Sequence, residues 1–292
     1  MKLKIAIQKS GRLYEDSIKI LREAGIELSS GMNPSTSLRA GKLRAEAYNF
    51  PLEVLFLRDD DIPQYVEDGV ADAGIVGENI IYETNKKLKV VEKLGFGKCR
   101  LSIAVPKNAE YKSIKELRGK KIATSYPVIL SKYLKKKRVE AKIETVSGSV
   151  EIAPSVGLAD AICDLVSSGS TLFANGLKET EVIFRSEAAL VANNKLDKEK
   201  AAILKNLLFR IKAVKKSRHN KYVLLNAPNN KLDAICKILP GMKSPTILPL
   251  AEKGWSSVHS VIDEEKFWEI IEQLKENGAQ GILVIPIEKM IV

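Results

Sequence analysis

Apolar and polar residues alternate along several short stretches of the chain, and longer stretches with helical spacing follow them. The segment Lys2-Leu-Lys-Ile-Ala-Ile7 has the period of two that is typical of half-buried strands, and Leu52-Glu-Val-Leu-Phe-Leu57 also predicts a strand. Apolar residues recur at helical spacing from Leu13 to Gly25 and from Leu196 to Ser217. Strands that alternate with helices predict an α/β fold.

A helix followed by a glycine-rich strand is predicted in the first third of the chain. Asp61 is the expected N-cap of this helix, which should stop at Gly69. Val70-Ala-Asp-Ala-Gly-Ile-Val-Gly77 then predicts a short buried strand that ends in a Gly-Glu-Asn loop. This unit is typical of two-lobed folds of the periplasmic-binding-protein type (type II), in which the chain crosses twice between lobes. A strand over 182–191 is the expected return to the first lobe.

The last quarter of the chain has a different order of elements. Its predicted order, βαββαβ, is ferredoxin-like. The expected strands are 222–225, 245–250, 256–262 and 280–287, and the expected helices are 231–239 and 264–277. We therefore expect three parts: a first lobe over 1–100 completed by 186–218, a second lobe over 101–185, and a ferredoxin-like domain over 219–292.

The composition is that of a globular protein without a membrane segment. The chain has 292 residues, and its 45% hydrophobic content is enough for more than one core. The longest apolar runs are far shorter than a membrane span, and the N-terminus turns polar too early for a signal peptide. Cys99, Cys163 and Cys236 are odd in number and widely spaced, which predicts neither disulfides nor a zinc site and favours a cytoplasmic location.

The formal net charge is +11, and lysines cluster between Lys107 and Lys142. A basic surface suits either nucleic acid or a polyphosphate substrate. Aromatic residues are sparse in this cluster, whereas a single-strand binding surface needs them interleaved with the basic residues, and a solvated helix face is the commonest meaning of such a run. We therefore expect no nucleic-acid partner.

An apolar stretch near the middle of the chain opens into a loop of small, hydroxylated residues. The apolar part, Leu158-Ala-Asp-Ala-Ile-Cys-Asp-Leu-Val, contains Asp160 and Asp164, and Ser167-Ser-Gly-Ser-Thr171 follows it. Such a loop lets backbone N–H groups approach a phosphate, and a carboxylate at the strand end can bind a ribose diol, or Mg²⁺ through water. An ordinary buried strand and a Ser/Gly turn capped by Asp164 would give the same pattern.

A series of motifs, in order, resembles the ATP phosphoribosyltransferase family, which catalyses the first step of histidine biosynthesis. The resemblance covers nearly the whole chain, and the terminal ferredoxin-like unit indicates the long form of the family, which has its own regulatory domain. One departure is an insertion at Pro34 to Gly41. The motifs are Gln8–Leu13, Arg58–Pro63, Gly77–Asn79, Cys99–Leu101, Ile122–Pro127, Glu151–Leu172 and Ser244–Leu250.

The resemblance implies an enzyme that joins ATP to 5-phosphoribosyl 1-diphosphate (PRPP), with Mg²⁺ as cofactor, and gives N1-phosphoribosyl-ATP and diphosphate. It implies catalytic roles for Asp164, Glu151 and Arg58, of which the two acids are also the metal candidates. The implied PRPP contacts are Asp160, Asp164, Ser167, Ser168, Gly169, Ser170 and Thr171. The implied ATP and phosphate contacts are Lys9, Gly11, Arg12, Glu78, Arg100, Thr124 and Tyr126.

The family also implies feedback inhibition by histidine and a homo-oligomer, from dimer to hexamer. Met242 and Thr246 are the implied contacts for histidine, although a loop residue and a strand cap would look the same. The alternative function is a non-catalytic small-molecule-binding protein with the same two-lobed fold. A receptor of that class would carry an export signal and a regulator a helix-turn-helix, and the sequence shows neither pattern.

Overall fold

A computed structural model describes residues 1–29, 43–239 and 241–291 of the chain. The insertion at Pro34 to Gly41 lies outside these residues. Within the described ranges, no helix is both long enough and apolar enough to span a bilayer.

The first lobe is built on a mixed sheet with the strand order β2-β3-β1-β4-β11-β5. Strand β1 lies parallel to β3 and β4, whereas β11 is antiparallel to both of its neighbours. The strands are β1 (Leu3–Gln8), β2 (Arg44–Glu46), β3 (Leu52–Leu57), β4 (Ala73–Gly77), β5 (Lys89–Lys93) and β11 (Ala188–Ala192). Helix α1 (Arg12–Glu23) follows β1, α2 (Ile62–Glu67) follows β3, and α3 (Glu78–Thr84) follows β4.

The second lobe is built on a sheet with the order β10-β6-β9-β7-β8. Strands β7, β8 and β9 run parallel, so their carboxyl ends meet at one edge of the sheet. The strands are β6 (Cys99–Pro106), β7 (Lys121–Thr124), β8 (Lys142–Thr145), β9 (Ala161–Val166) and β10 (Leu177–Ser186), with α4 (Pro127–Lys137) after β7 and α5 (Ser170–Ala174) after β9.

The chain crosses between the two lobes twice, once from β5 to β6 and once from β10 to β11. This double crossing confirms the two-lobed architecture of type II periplasmic-binding-protein-like folds. The predicted strand over 182–191 is in fact two strands in different sheets, because the chain leaves the second lobe at Ser186 and pairs with the first lobe from Ala188. No glycine or proline marks this change in the sequence.

The C-terminal segment has the predicted ferredoxin-like order. Its antiparallel sheet, β13-β14-β12-β15, is covered on one face by two helices, with Val223, Leu225 and Phe267 in the shared core. The elements are β12 (Asn220–Pro228), α7 (Leu232–Ile238), β13 (Thr246–Pro249), β14 (Trp255–Asp263), α8 (Glu264–Glu276) and β15 (Gln280–Pro286).

Contacts divide the chain into two compact units. One contains Met1–Lys19 and Ile26–Leu204, and the other contains Ile20–Gly25 together with the chain from Lys205 onward. Helix α6 (Lys198–Arg218) contributes residues to both. The predicted domain boundaries at 100, 185 and 218 stay predictions.

Two local details differ from expectation. Asp61 occupies the predicted N-cap position of α2, but its side chain makes no capping hydrogen bond, because Asp59–Asp61 form a 3-10 turn that leads directly into α2 and give Asp61 helical dihedral angles. Glu78 and Asn79 do not form a loop after β4 but begin α3.

Candidate active site

The hydroxylated loop lies at the carboxyl edge of the second lobe's sheet, where β9 ends. Ser167 and Ser168 are exposed, and α5 begins at Ser170. Gly169 has a φ of +85°, a left-handed conformation that favours glycine, and it allows the chain to turn sharply between strand and helix. The Ser168 and Ser170 hydroxyl oxygens are 2.9 Å apart. Thr171 is also exposed, so most of the loop's side-chain donors face solvent.

Asp164 lies on the same face of β9 as Ile162 and Val166, two residues of a core that also buries Val150. Burial of Val150 brings the next residue, Glu151, close to Asp164. Partial burial and the Glu151 carboxylate both raise the pKa of Asp164, while a 2.8 Å hydrogen bond from the Leu165 N–H opposes the shift. The carboxylates of Asp164 and Glu151 therefore lie close together on the strand side of the hydroxylated loop.

The first lobe contributes a cationic loop to the same place. Arg12 Nη1 donates to Ser167 Oγ at 3.4 Å, which joins the loop after β1 to the loop after β9. Gly11 has a φ of +86° and open space on the side where a Cβ would project, and Lys9 is half-buried in the same loop. Three of the predicted phosphate contacts thus lie on the loop that meets the hydroxylated loop.

Tyr126 lies between the lobes and packs against the cores of both. Its hydroxyl accepts a hydrogen bond from Asn79 Nδ2 at 3.3 Å. Burial and, after it, the nearby carboxylates of Asp164, Asp59 and Asp60 raise the pKa of Tyr126. The acids of the Arg58 motif are therefore close to the acids of the second lobe.

Arg100 is already engaged by protein groups. Its Nε and Nη2 bind the Glu179 carboxylate at 2.5 and 2.6 Å, and its Nη1 donates to the Ser167 carbonyl at 3.0 Å. The sequence implied a phosphate contact for Arg100; its observed contacts are to the loop backbone and to a carboxylate that sequence reasoning missed.

Asp160 does not join the site. It precedes β9, its carboxylate accepts a hydrogen bond from the Lys121 N–H at 2.8 Å, and it is 3.7 Å from Lys120 Nζ. At about 3.3 Å per residue, the seven residues from Asp160 to Ser167 span roughly 23 Å. Asp160 lines a cavity of about 770 Å³ at the opposite edge of the sheet. It cannot reach a ribose held beside the hydroxylated loop.

Glu78 and Thr124 are buried and have partners. The Glu78 carboxylate forms an ion pair with Lys93 Nζ at 2.9 Å. Thr124 Oγ1 accepts a hydrogen bond from the Tyr126 N–H at 2.9 Å and is fully buried.

The candidate regulatory residues lie in the ferredoxin-like domain. Met242 is half exposed, and Thr246 pairs with His259 across β13 and β14. Ser260 Oγ is buried and has no hydrogen-bond partner among the described residues. A methyl group added at Gly241 would lie 2.9 Å from this oxygen, so the loop that carries Met242 passes directly over it.

No cluster of three or more acidic, cysteine or histidine ligands that could hold a metal ion occurs in the described part of the chain. Asp164 and Glu151 nevertheless fit Mg²⁺, which is commonly held by one or two carboxylates, by water and by substrate phosphates. Burial and, after it, the Glu151 carboxylate raise the pKa of Asp164, and a dication would relieve the repulsion between the two carboxylates.

Comparisons with known proteins agree with this fold. A family profile of ATP phosphoribosyltransferase matches residues 58–213, and a profile of its C-terminal domain matches residues 217–289. The ATP phosphoribosyltransferase of Cytophaga hutchinsonii is 62% identical over 99% of this chain and 98% of its own length. That of Bacteroides thetaiotaomicron is 56% identical over 99% and 100%. A solved ATP phosphoribosyl transferase (HisG:HisZ) complex from Thermotoga maritima is 28% identical, with a TM-score of 0.59, over 72% of this chain and 98% of its own.

These matches show that the chain is a pentosyltransferase. The chain belongs to the ATP phosphoribosyltransferase family and, because the C-terminal profile also matches, to its long form.

Sequence reasoning missed two residues near the cleft. Glu83 of α3 caps α4 in the other lobe, and Glu179 of β10 holds Arg100. Glu83 lies near the end of helix α3, and Glu179 lies near the start of strand β10. Their partners are 45 and 79 residues away in the chain, so no local pattern marks them.

Proposed function

We propose that the cleft between the two lobes binds PRPP and ATP and transfers the phosphoribosyl group to N1 of adenine, with release of diphosphate. This is the first step of histidine biosynthesis. The observation that carries the proposal is the meeting of Asp164, the hydroxylated loop and Arg12 at one edge of the second lobe's sheet.

The 5-phosphate of PRPP is assigned to the loop Ser167–Thr171. Exposed hydroxyls and a glycine at its turn suit an anion with three or more acceptor oxygens. Asp164, at the end of the preceding strand, is in position to accept hydrogen bonds from the ribose hydroxyls. Asp160 has no part in this assignment, because it lies at the other end of β9.

Adenine N1 has its own lone pair, so its attack on ribose C1 requires no general base. The chemical needs are alignment of N1 with C1, stabilisation of a cationic ribosyl group, and stabilisation of the departing diphosphate. Asp164 and Glu151 provide negative charge on the ribose side. Lys9, Arg12 and Arg58 provide positive charge for the diphosphate and for the ATP phosphates.

Mg²⁺ is the expected cofactor, and Asp164 and Glu151 would hold it, directly or through water. When bound, it would neutralise charge on the leaving diphosphate. Tyr126 is assigned to the wall of the ATP site, because it lies between the lobes and close to Asp164, Asp59 and Asp60.

The ferredoxin-like domain is proposed to bind histidine as an inhibitor, near Met242 and Thr246. The unpartnered hydroxyl of Ser260 beneath the Gly241 loop supports a polar ligand there. We also propose a homo-oligomer, from dimer to hexamer, in the cytoplasm. The three cysteines are free thiols, as a reducing compartment would keep them.

The test is a coupled assay with ATP, PRPP, Mg²⁺ and a pyrophosphatase that pulls the equilibrium forward. The ultraviolet absorbance of N1-substituted adenine reports product. We expect product that disappears in Asp164→Ala and falls when histidine is added, and Thr246→Ala should weaken the response to histidine. A folded protein that binds PRPP but makes no product would favour the non-catalytic binding protein.

A further inference from the structure

The first residue of the proposed phosphate loop is held from outside the loop. Arg100, at the start of β6, donates from Nη1 to the Ser167 carbonyl at 3.0 Å. Arg100 pairs with Val166 in the antiparallel ladder of β6 and β9, so its side chain starts beside the end of β9. The contact therefore reaches the backbone at the point where the strand becomes the loop.

The Arg100 side chain is itself fixed by Glu179 of β10. The two oxygens of Glu179 bind Nε and Nη2 of the guanidinium at 2.5 and 2.6 Å, a two-point contact that sets both the distance and the plane of the group. Ser102 Oγ donates to the same carboxylate at 2.7 Å. Arg100 and Ser102 are two residues apart on β6 and so face the same side of the sheet.

The charge of Arg100 is thus balanced within the protein. The guanidinium lowers the pKa of Glu179, which keeps the carboxylate ionised at neutral pH. Both side chains are about one-quarter exposed, so the pair is only partly screened by solvent. A paired guanidinium attracts a phosphate less strongly than a free one does, and its third contact is to a carbonyl oxygen.

Fixing the Ser167 carbonyl also fixes the next N–H group. The peptide bond is planar and trans, so the N–H of Ser168 points in the direction opposite to the Ser167 carbonyl. With that carbonyl directed at Arg100, the Ser168 N–H is directed away from Arg100. Rotation of this peptide would remove the N–H from an anion bound in the loop.

We propose that Glu179 is a positioning residue that acts through Arg100 to set the conformation of the loop Ser167–Thr171 before PRPP binds. The inference rests on the proposed role of the loop in holding the 5-phosphate. It differs from the role that the resemblance implied for Arg100, because here the guanidinium acts on the Ser167 carbonyl of the loop and not on the phosphate itself.

The test compares Glu179→Gln with Glu181→Gln. Both variants remove one negative charge from β10 and keep the shape of the side chain. Glu181 accepts hydrogen bonds from Tyr111 and Tyr133 and pairs with Lys137, without a contact to Arg100 or the loop among the described residues. It is therefore a matched control for charge, strand and local stability.

We expect Glu179→Gln to raise the KM for PRPP about tenfold, as loss of a charged hydrogen bond typically does, with the KM for ATP unchanged. Glu181→Gln should leave the KM for PRPP unchanged. Hydrogen–deuterium exchange without substrate should be faster than in wild type over residues 167–176 in Glu179→Gln and unchanged there in Glu181→Gln. Ser102→Ala, which removes one bond to the same carboxylate, should produce smaller changes in the same direction and serves if Glu179→Gln does not fold.

An unchanged KM for PRPP in folded Glu179→Gln, or equal changes in both glutamine variants, would overturn the proposal. So would tighter PRPP binding by Glu179→Gln, because it would make Arg100 a direct ligand that Glu179 restrains. If the wild type itself made no product, the proposed function would fail, and the exchange rates would still decide whether Glu179 orders the loop.

Discussion

Glu83 in the first lobe accepts hydrogen bonds from the backbone N–H groups of Val128 and Ile129 in the second lobe, at 2.7 and 3.0 Å. A carboxylate of one lobe thus caps the first turn of α4, a helix of the other. The neighbouring Asn79 adds a contact to Tyr126. Any movement that separates the lobes at this point must break these hydrogen bonds.

Glu83→Gln should therefore destabilise the two-lobed unit. A glutamine retains one acceptor oxygen but loses the charge that favours the helix N-terminus, and we expect a loss of about 1 kcal/mol in the free energy of unfolding. Thermal denaturation measures this loss. Glu140→Gln, at an exposed site, is the charge-matched control, and equal melting temperatures for the two variants would contradict the inter-lobe cap.

Asp164, which lies in β9, and Asp160, which directly precedes β9, should respond differently to substitution by asparagine. Asp164→Asn should lower kcat/KM by about a hundredfold, the scale expected for one preorganised electrostatic contact in a site. Asp160→Asn should stay within about threefold of wild type, because a group outside the site makes no contact that changes during the reaction. Steady-state kinetics with PRPP as the varied substrate measures both values of kcat/KM. A large loss of kcat/KM in Asp160→Asn would show that the site was assigned to the wrong end of β9.

Gly169→Ala and Gly176→Ala test the conformation of the loop. Both glycines have left-handed φ values, +85° and +70°, so each alanine costs about 1 kcal/mol in backbone strain. Only Gly169 lies within the proposed phosphate loop. We expect similar drops in melting temperature for both variants but a raised KM for PRPP in Gly169→Ala alone. A similar KM increase in both would mean that the loop responds to general destabilisation.

The ion pair between Arg100 and Glu179 should make part of the stability pH-dependent. The Arg100 guanidinium lowers the pKa of Glu179 below the ordinary glutamate value of 4.5. As the pH falls, the Glu179 carboxylate is therefore protonated at a higher pH in the unfolded state than in the folded state. The stabilisation is complete above about pH 4.5 and is lost as the pH falls through the lower, folded-state pKa. The difference in melting temperature between wild type and Glu179→Gln should accordingly be constant near pH 7 and close toward pH 3. A difference in melting temperature that persists at pH 3 would exclude the ionisation of Glu179 as its cause.

The sequence was sufficient to predict the strand and the loops that carry the site residues. It was not sufficient to predict all of the residues that these side chains contact. The strand that carries Asp164, the loop after it and the cationic loop at Arg12 follow local patterns of apolar, small and charged residues. Asp160 and Asp164 share one face of a strand by their spacing, but the same spacing separates them along the strand by about 13 Å, so only one can lie at its end. The pairing of Arg100 with Glu179 depends on which strands become neighbours, and that is decided by the whole sheet.

Strand β11 is buried throughout and lies between β4 and β5, although it begins 95 residues after β5 ends at Lys93. During synthesis the first lobe's sheet therefore lacks β11 until the entire second lobe has been made. At about 5–20 residues per second this interval is roughly 5–20 s, long compared with the folding time of a small domain. The second lobe is a continuous segment whose last strand, β10, ends at Ser186, so the lobe that starts later in the chain has all of its strands before β11 begins.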